Sequence, residues 1–196
     1  FHYGANFGLT GDGEYTVRLS VGAMSTRRSG AFQGRFSEPT TAEVPFEYSE
    51  AQRNEISFER LADEAGTAGA VDPREMEMMP DSLAPSESAL PGTVIGSGMS
   101  NDATFVVTVL DSPPAGIDGD GQYIAVSPRS RYNQMILPAM GLEGTLSRGE
   151  ETVYGGEFSR TLDPNLNYHY GAVVDSVESG DELTLRVTVQ PQTARH

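Results

Sequence analysis

The sequence contains no cysteine and no tryptophan. Without cysteine there is no disulfide framework, no thiolate zinc or iron–sulfur site and no cysteine nucleophile. Lysine is absent as well. All 13 basic residues are arginine, set against 28 Asp and Glu, so the 196-residue chain carries a formal net charge of −15. Such a charge repels nucleic acid and anionic membrane surfaces, and neither is an expected partner. No apolar run approaches the roughly 18 residues of a membrane span; the runs are short, as in Phe105-Val106-Val107. His-Glu-x-x-His, P-loop, dinucleotide and Gly-x-Ser-x-Gly signatures are all missing, and nothing in the sequence supports catalysis. The stretch Asp118–Gln122 opens like a calcium loop, but its twelfth position is Arg129 instead of Glu, so it reads as a turn. Arg129 and Arg131 read as residues that tie a turn to neighbouring acids.

The charge is unevenly spread. Residues 1–36 hold two acids and four arginines, whereas residues 37–91 hold 13 acids and three arginines. Within that middle block, residues 61–91 are rich in Ala, Pro, Ser and Glu and have no sustained apolar period. That composition offers too little apolar surface to offset the entropy of ordering, so it reads as a linker. On either side the apolar period is two. Glu14–Val21 alternates Tyr15, Val17, Leu19 and Val21 with polar residues, Glu182–Val189 does the same, and Ala103–Val109 sets Phe105, Val107 and Val109 against Thr104, Val106 and Thr108. Alternation of this kind marks half-buried antiparallel strands, and Gly/Asp turn signals at 10–13, 118–121 and 179–181 separate them. Only residues 49–65 admit a helical reading. The expected fold class is therefore all-β, with tandem immunoglobulin-like β-sandwich units at 1–60 and 92–196 joined by an acidic linker at 61–91.

An internal repeat supports two related units. His2-Tyr3-Gly4-Ala5 recurs as His169-Tyr170-Gly171-Ala172, and Glu14–Val21 lies over Glu182–Val189 once one residue is inserted. The repeat also places the three histidines of the chain: His2 and His169 share one position, and His196 lies just past the strand that follows His169. A hairpin brings such positions to one sheet edge. His169 and His196 are thus candidate metal ligands, imidazole being the commonest ligand of transition metals. A second reading stands beside it, in which the histidine of HYGA is a strand residue hydrogen-bonded to backbone. Met76 and Met78, interleaved with Glu75 and Glu77, mix thioethers with carboxylates. That mixture suits copper or iron, and it equally suits a linker with a hydrophobic docking spot.

The run from His2 to Val21 (HYGANFGLTGDGEYTVRLSV), with Gly34-Arg35-Phe36 and Val44–Tyr48, resembles the C-terminal part of the periplasmic Fe2+ transport protein family. The resemblance implies an immunoglobulin-like, secreted accessory protein of iron uptake, in which the histidine corresponding to His2 is a metal ligand. The loop that carries a further ligand histidine in that family is short here, residues 25–30, and has none. The second unit resembles a domain of uncharacterised function found behind the iron-transport domain in haloarchaeal proteins. The matching stretches are residues 90–96, 123–138, 168–172 and 191–196. The lysine-free acidity likewise resembles proteins of extreme halophiles, where a carboxylate surface keeps a chain hydrated in salt.

Together these readings predict a metal-binding protein, not an enzyme, with iron or copper as its ion. Its expected setting is the cell surface, lipid-anchored, with a membrane permease or a second copy as partner. The alternative is a docking module that binds no metal. The start at Phe1 and the match near His196 read as the ends of a piece cut from a longer chain.

Overall fold

The structure is a computed structural model that describes residues 7–35, 37–52 and 83–191. Among the described residues, eleven strands follow in chain order: β1 (Gly13–Val21), β2 (Arg27–Arg28), β3 (Thr40–Tyr48), β4 (Thr93–Ser100), β5 (Ala103–Leu110), β6 (Gln122–Ser130), β7 (Gly141–Arg148), β8 (Glu151–Glu157), β9 (Ser159–Asp163), β10 (Asn167–Val174) and β11 (Glu182–Val189). The only described helices are two short 3-10 turns. The chain is all-β, and it divides into two compact units. One comprises residues 1–25 and 34–67, the other residues 26–33 and 68–196. Residues 26–33 thus belong with the second unit, although by sequence position they fall inside the stretch 1–60.

The described part of the first unit is the antiparallel hairpin β1–β3, with Tyr15 opposite Phe46 and Val17 opposite Val44. Period-two alternation puts Tyr15, Val17, Leu19 and Val21 on one face, where the Tyr15 and Phe46 rings stack at 5.9 Å. Arg18 and Glu43 pair on the other face at 2.6 Å. Leu19, Val21 and Val44 are at least half exposed among the described residues.

The second unit is a β-sandwich. Its larger sheet has the order β2-β9-β10-β6-β5-β4, and its smaller sheet the order β11-β7-β8. Alternation sets which residues meet between them. Phe105, Val109, Ile124, Val126, Tyr170 and Ala172 point inward from the large sheet. Leu142, Leu146 and Phe158 join them from the other side, with Leu183 and Leu185 packed alongside. The opposite face of the large sheet is also buried, by Leu90, Ile117 and Leu166 over Val106, Tyr123 and Ala125. A strand buried on both faces has no need to alternate, which is why β6 reads almost continuously buried from Tyr123 to Arg129. Met140 fills the main core, its side chain 2% exposed.

Residues 26–33 enter this unit as its edge. β2 runs parallel to β9, pairing Arg27 with Thr161 and Arg28 with Leu162. The Ser29 amide donates to the Leu162 carbonyl at 3.0 Å, and the Gly30 amide to the Ala115 carbonyl at 2.8 Å. Ser29 is fully buried, and its Oγ donates to Oδ2 of Asp163 at 2.7 Å. Oδ1 of the same Asp163 accepts from the amides of Asn165 and Leu166, shaping the β9–β10 turn.

Candidate functional site

The second copy of the HYGA motif lies on β10, and its four residues alternate between the two buried faces of the large sheet. Tyr170 and Ala172 join the inter-sheet core. The Tyr170 hydroxyl donates to the Leu137 carbonyl at 2.9 Å and accepts from the Met140 amide at 2.8 Å. His169 and Gly171 face the other way, beneath the ring of Tyr123. A Cβ placed on Gly171 would stand 1.8 Å from the Tyr123 hydroxyl oxygen, so only glycine admits that ring.

His169 is completely buried. Its Nδ1 lies 2.9 Å from the Asn167 carbonyl and its Nε2 lies 3.0 Å from the Tyr123 hydroxyl. A carbonyl only accepts, so Nδ1 carries the proton and Nε2 accepts from Tyr123. Tyr123 in turn accepts from the Arg27 guanidinium at 3.2 Å, and Arg27 also donates to Thr161 Oγ1 at 3.1 Å and to the Gly171 carbonyl at 3.4 Å. Burial pushes the His169 pKa down to about 4, and the nearby Arg27 charge pushes the same way. The Asn167 hydrogen bond and Asp163 oppose that shift. Burial likewise raises the Tyr123 pKa. The result is a neutral imidazole whose one lone pair is taken by Tyr123. A metal ion at Nε2 would have to displace that hydroxyl from a buried position.

The other residues expected from sequence as ligands, His2, His196, Met76 and Met78, lie outside the described residues. Among the described residues, no three side chains of His, Cys, Asp and Glu gather to hold a metal ion. The structure also places the two arginines singled out from the sequence. Arg129 is 3% exposed and donates to the Pro85 carbonyl and to Ser127 Oγ; burial lowers its pKa, and the Glu87 carboxylate opposes that shift. The Arg131 guanidinium lies 5.3 Å from the centre of the Tyr132 ring.

A second feature is an open cleft of about 700 Å³ between β4 at the edge of the large sheet and β11 at the edge of the small one. Its walls include Phe105, Val107, Leu146, Leu183 and Leu185. Gly96 stands opposite Val107 and Gly98 opposite Phe105. The i, i+2 spacing puts both glycines on one strand face, and a Cβ built on either meets nothing within 4 Å. The space is therefore left by two absent side chains. The sequence held this signal in Gly96-Ser97-Gly98, but whether that face closed against another sheet depended on tertiary packing. Asp181 and Arg186 stand at the cleft as well. Arg148 holds Asp181 at 2.9 Å, and Arg186 pairs with Glu143.

Comparison with known proteins adds one assignment. Residues 88–196 match the profile of DUF7350, described as a domain of unknown function. No curated protein and no solved structure matches the chain. The matched stretch covers more than half of the sequence and takes in the cleft and the His169–Tyr123 pair, so the chain belongs to the DUF7350 family.

Proposed function

We propose that this chain is a non-enzymatic accessory protein of iron or copper uptake in which the DUF7350 domain docks a protein and the first unit takes the metal. The observation that carries the division of labour is the closed hydrogen bonding of His169. A histidine with both nitrogens engaged and a pKa near 4 serves the fold, while the same domain leaves an apolar cleft open beside a sheet edge. The metal role of the first unit rests on the likeness of residues 2–21 to the periplasmic Fe2+ transport proteins, with His2 as the ligand. Its setting on this reading is extracellular, lipid-anchored and salt-adapted, the last drawn from a −15 chain without lysine. A permease is the partner that such a role calls for.

Equilibrium dialysis of the full-length protein against Fe(II) or Cu(II), followed by metal analysis, tests the division. The expected result is metal binding that His2→Ala removes and His169→Gln leaves intact. A folded His169→Gln protein that loses metal would return the site to the second domain. A wild type that binds neither ion at micromolar levels would end the metal reading.

A further inference from the structure

The cleft lies under a strand edge that differs from the others of this unit. Among the described residues β4 pairs only with β5, and its far side carries a full row of backbone donors and acceptors. An edge like this is a template for another strand, and proteins ordinarily blunt it with charge, proline, a bulge or short length. The remaining edges of the second unit do so. β2 has two residues, β8 begins and ends on Glu151 and Glu157, and β11 carries Glu182 and Arg186. β4 has no charged residue and no proline. Its one irregularity falls between Val94 and Gly96, leaving Gly96–Ser100 in regular register with β5. Ile95 and Met99 are 49% and 68% exposed.

From these features we infer that the β4 edge and the cleft beneath it bind an extended peptide of a partner protein as an added strand, with large apolar side chains at alternate positions and cationic flanks. The unpaired backbone selects a strand, since no other occupant satisfies a row of alternating amides and carbonyls. Gly96 and Gly98 select the side chains: on the inward face they leave room into which every second residue of the incoming strand projects, over Phe105, Val107, Leu183 and Leu185. Charge selects the flanks. Asp111, Glu178 and Asp181 line the cleft or the depression beside it, against Arg186 at the cleft and Arg148, which pairs with Glu178 and Asp181. A second copy of β4 fits less well. A two-fold related strand would bring its own glycines to the inward face and leave the cleft unfilled.

The inference rests on the docking role of the DUF7350 domain and names its ligand. The probe is a fluorescein-labelled nine-residue peptide alternating leucine with threonine, with lysine at both ends, titrated into the full chain and read by anisotropy. The expected result is saturable binding with a Kd below about 100 µM. Binding is expected to weaken with added salt, as charge at the flanks requires. Gly96→Val with Gly98→Val fills the cleft at two positions with room and ordinary backbone, so it should keep the wild-type unfolding midpoint and bind at least tenfold more weakly. The same peptide with proline at its centre should also bind at least tenfold more weakly, because it forfeits a ladder amide.

Equal binding by the proline peptide, or by the folded double variant, overturns the inference. So does a wild type that rejects the peptide. Sedimentation showing a wild-type dimer that the double variant abolishes overturns it too, in favour of a second copy. Metal-limited growth of cells carrying the double variant separates the two levels. If the wild type rejects the peptide, growth loss in the double variant ends the strand and leaves the docking role, whereas normal growth in the double variant ends both.

Discussion

The Tyr123 hydroxyl donates to Nε2 of His169 at 3.0 Å across two strands, 46 residues apart in sequence, with the rings edge to face at 84°. This bond decides how the HYGA repeat reads in the second domain. Histidine supplies a buried acceptor, glycine supplies the floor on which the tyrosine ring lies, and tyrosine and alanine fill the core on the reverse face. Each residue of the motif in this domain has a packing role.

Acid should destabilise the protein through this histidine. Its pKa is about 4 in the fold against an ordinary 6.5, so between those values the unfolded chain binds a proton that the native state refuses. The contribution is therefore complete above about pH 6.5, falls as pH drops, and is exhausted below about pH 4. A depression of this size corresponds to at most about 3 kcal/mol. Urea unfolding at pH 4.5 and 7 reads it directly. In His169→Gln the difference between those two pH values should shrink by a comparable amount, and an unchanged difference would show that other groups set the acid response.

The strands were legible because their alternation is local. Glu14–Val21, Ala103–Val109 and Glu182–Val189 emerge as β1, β5 and β11 to within a residue at each end. The position of His169 on a strand was equally legible from the repeat. Its burial was not, because that depends on Tyr123, which sits in a strand covered on both faces and has no periodic signal. The placement of residues 26–33 was hidden for a different reason. β2 is two residues long and pairs with a strand more than 130 residues away, and neither length nor spacing announces such an edge. The cleft lay between these cases, since two glycines at i, i+2 mark a bare strand face without saying what faces it.

Gly171→Ala separates the packing role of the motif from any chemical one. Its added methyl group would sit inside the contact distance of the Tyr123 ring carbons, the nearest at 2.1 Å, so the ring must move and release His169. Overpacking of this kind costs about 1–3 kcal/mol, and a stranded imidazole acceptor adds a comparable amount. The expected outcome is a lower thermal midpoint with the His169 ring resonances displaced in NMR spectra. Wild-type stability in this variant would mean that the ring is held elsewhere.

Arg27 is the residue through which β2 reports on the same node. Its guanidinium reaches Thr161, Tyr123 and the Gly171 carbonyl, so it fastens residues 26–33 to β9, β6 and β10 at once. In Arg27→Ala those three acceptors lose a charged donor, at a cost of about 1–3 kcal/mol for hydrogen bonds of this type. The loss should be local before it is global. The amides of Ser29 and Gly30, bonded to Leu162 and Ala115, should exchange with deuterium at least tenfold faster, while those in the centre of β5 and β6 keep their protection. Arg27→Lys retains the charge but not the planar fork, and should recover only part of the protection. If Ser29 and Gly30 exchange as in wild type, Ser29–Asp163 holds the segment alone and the arginine is dispensable for it.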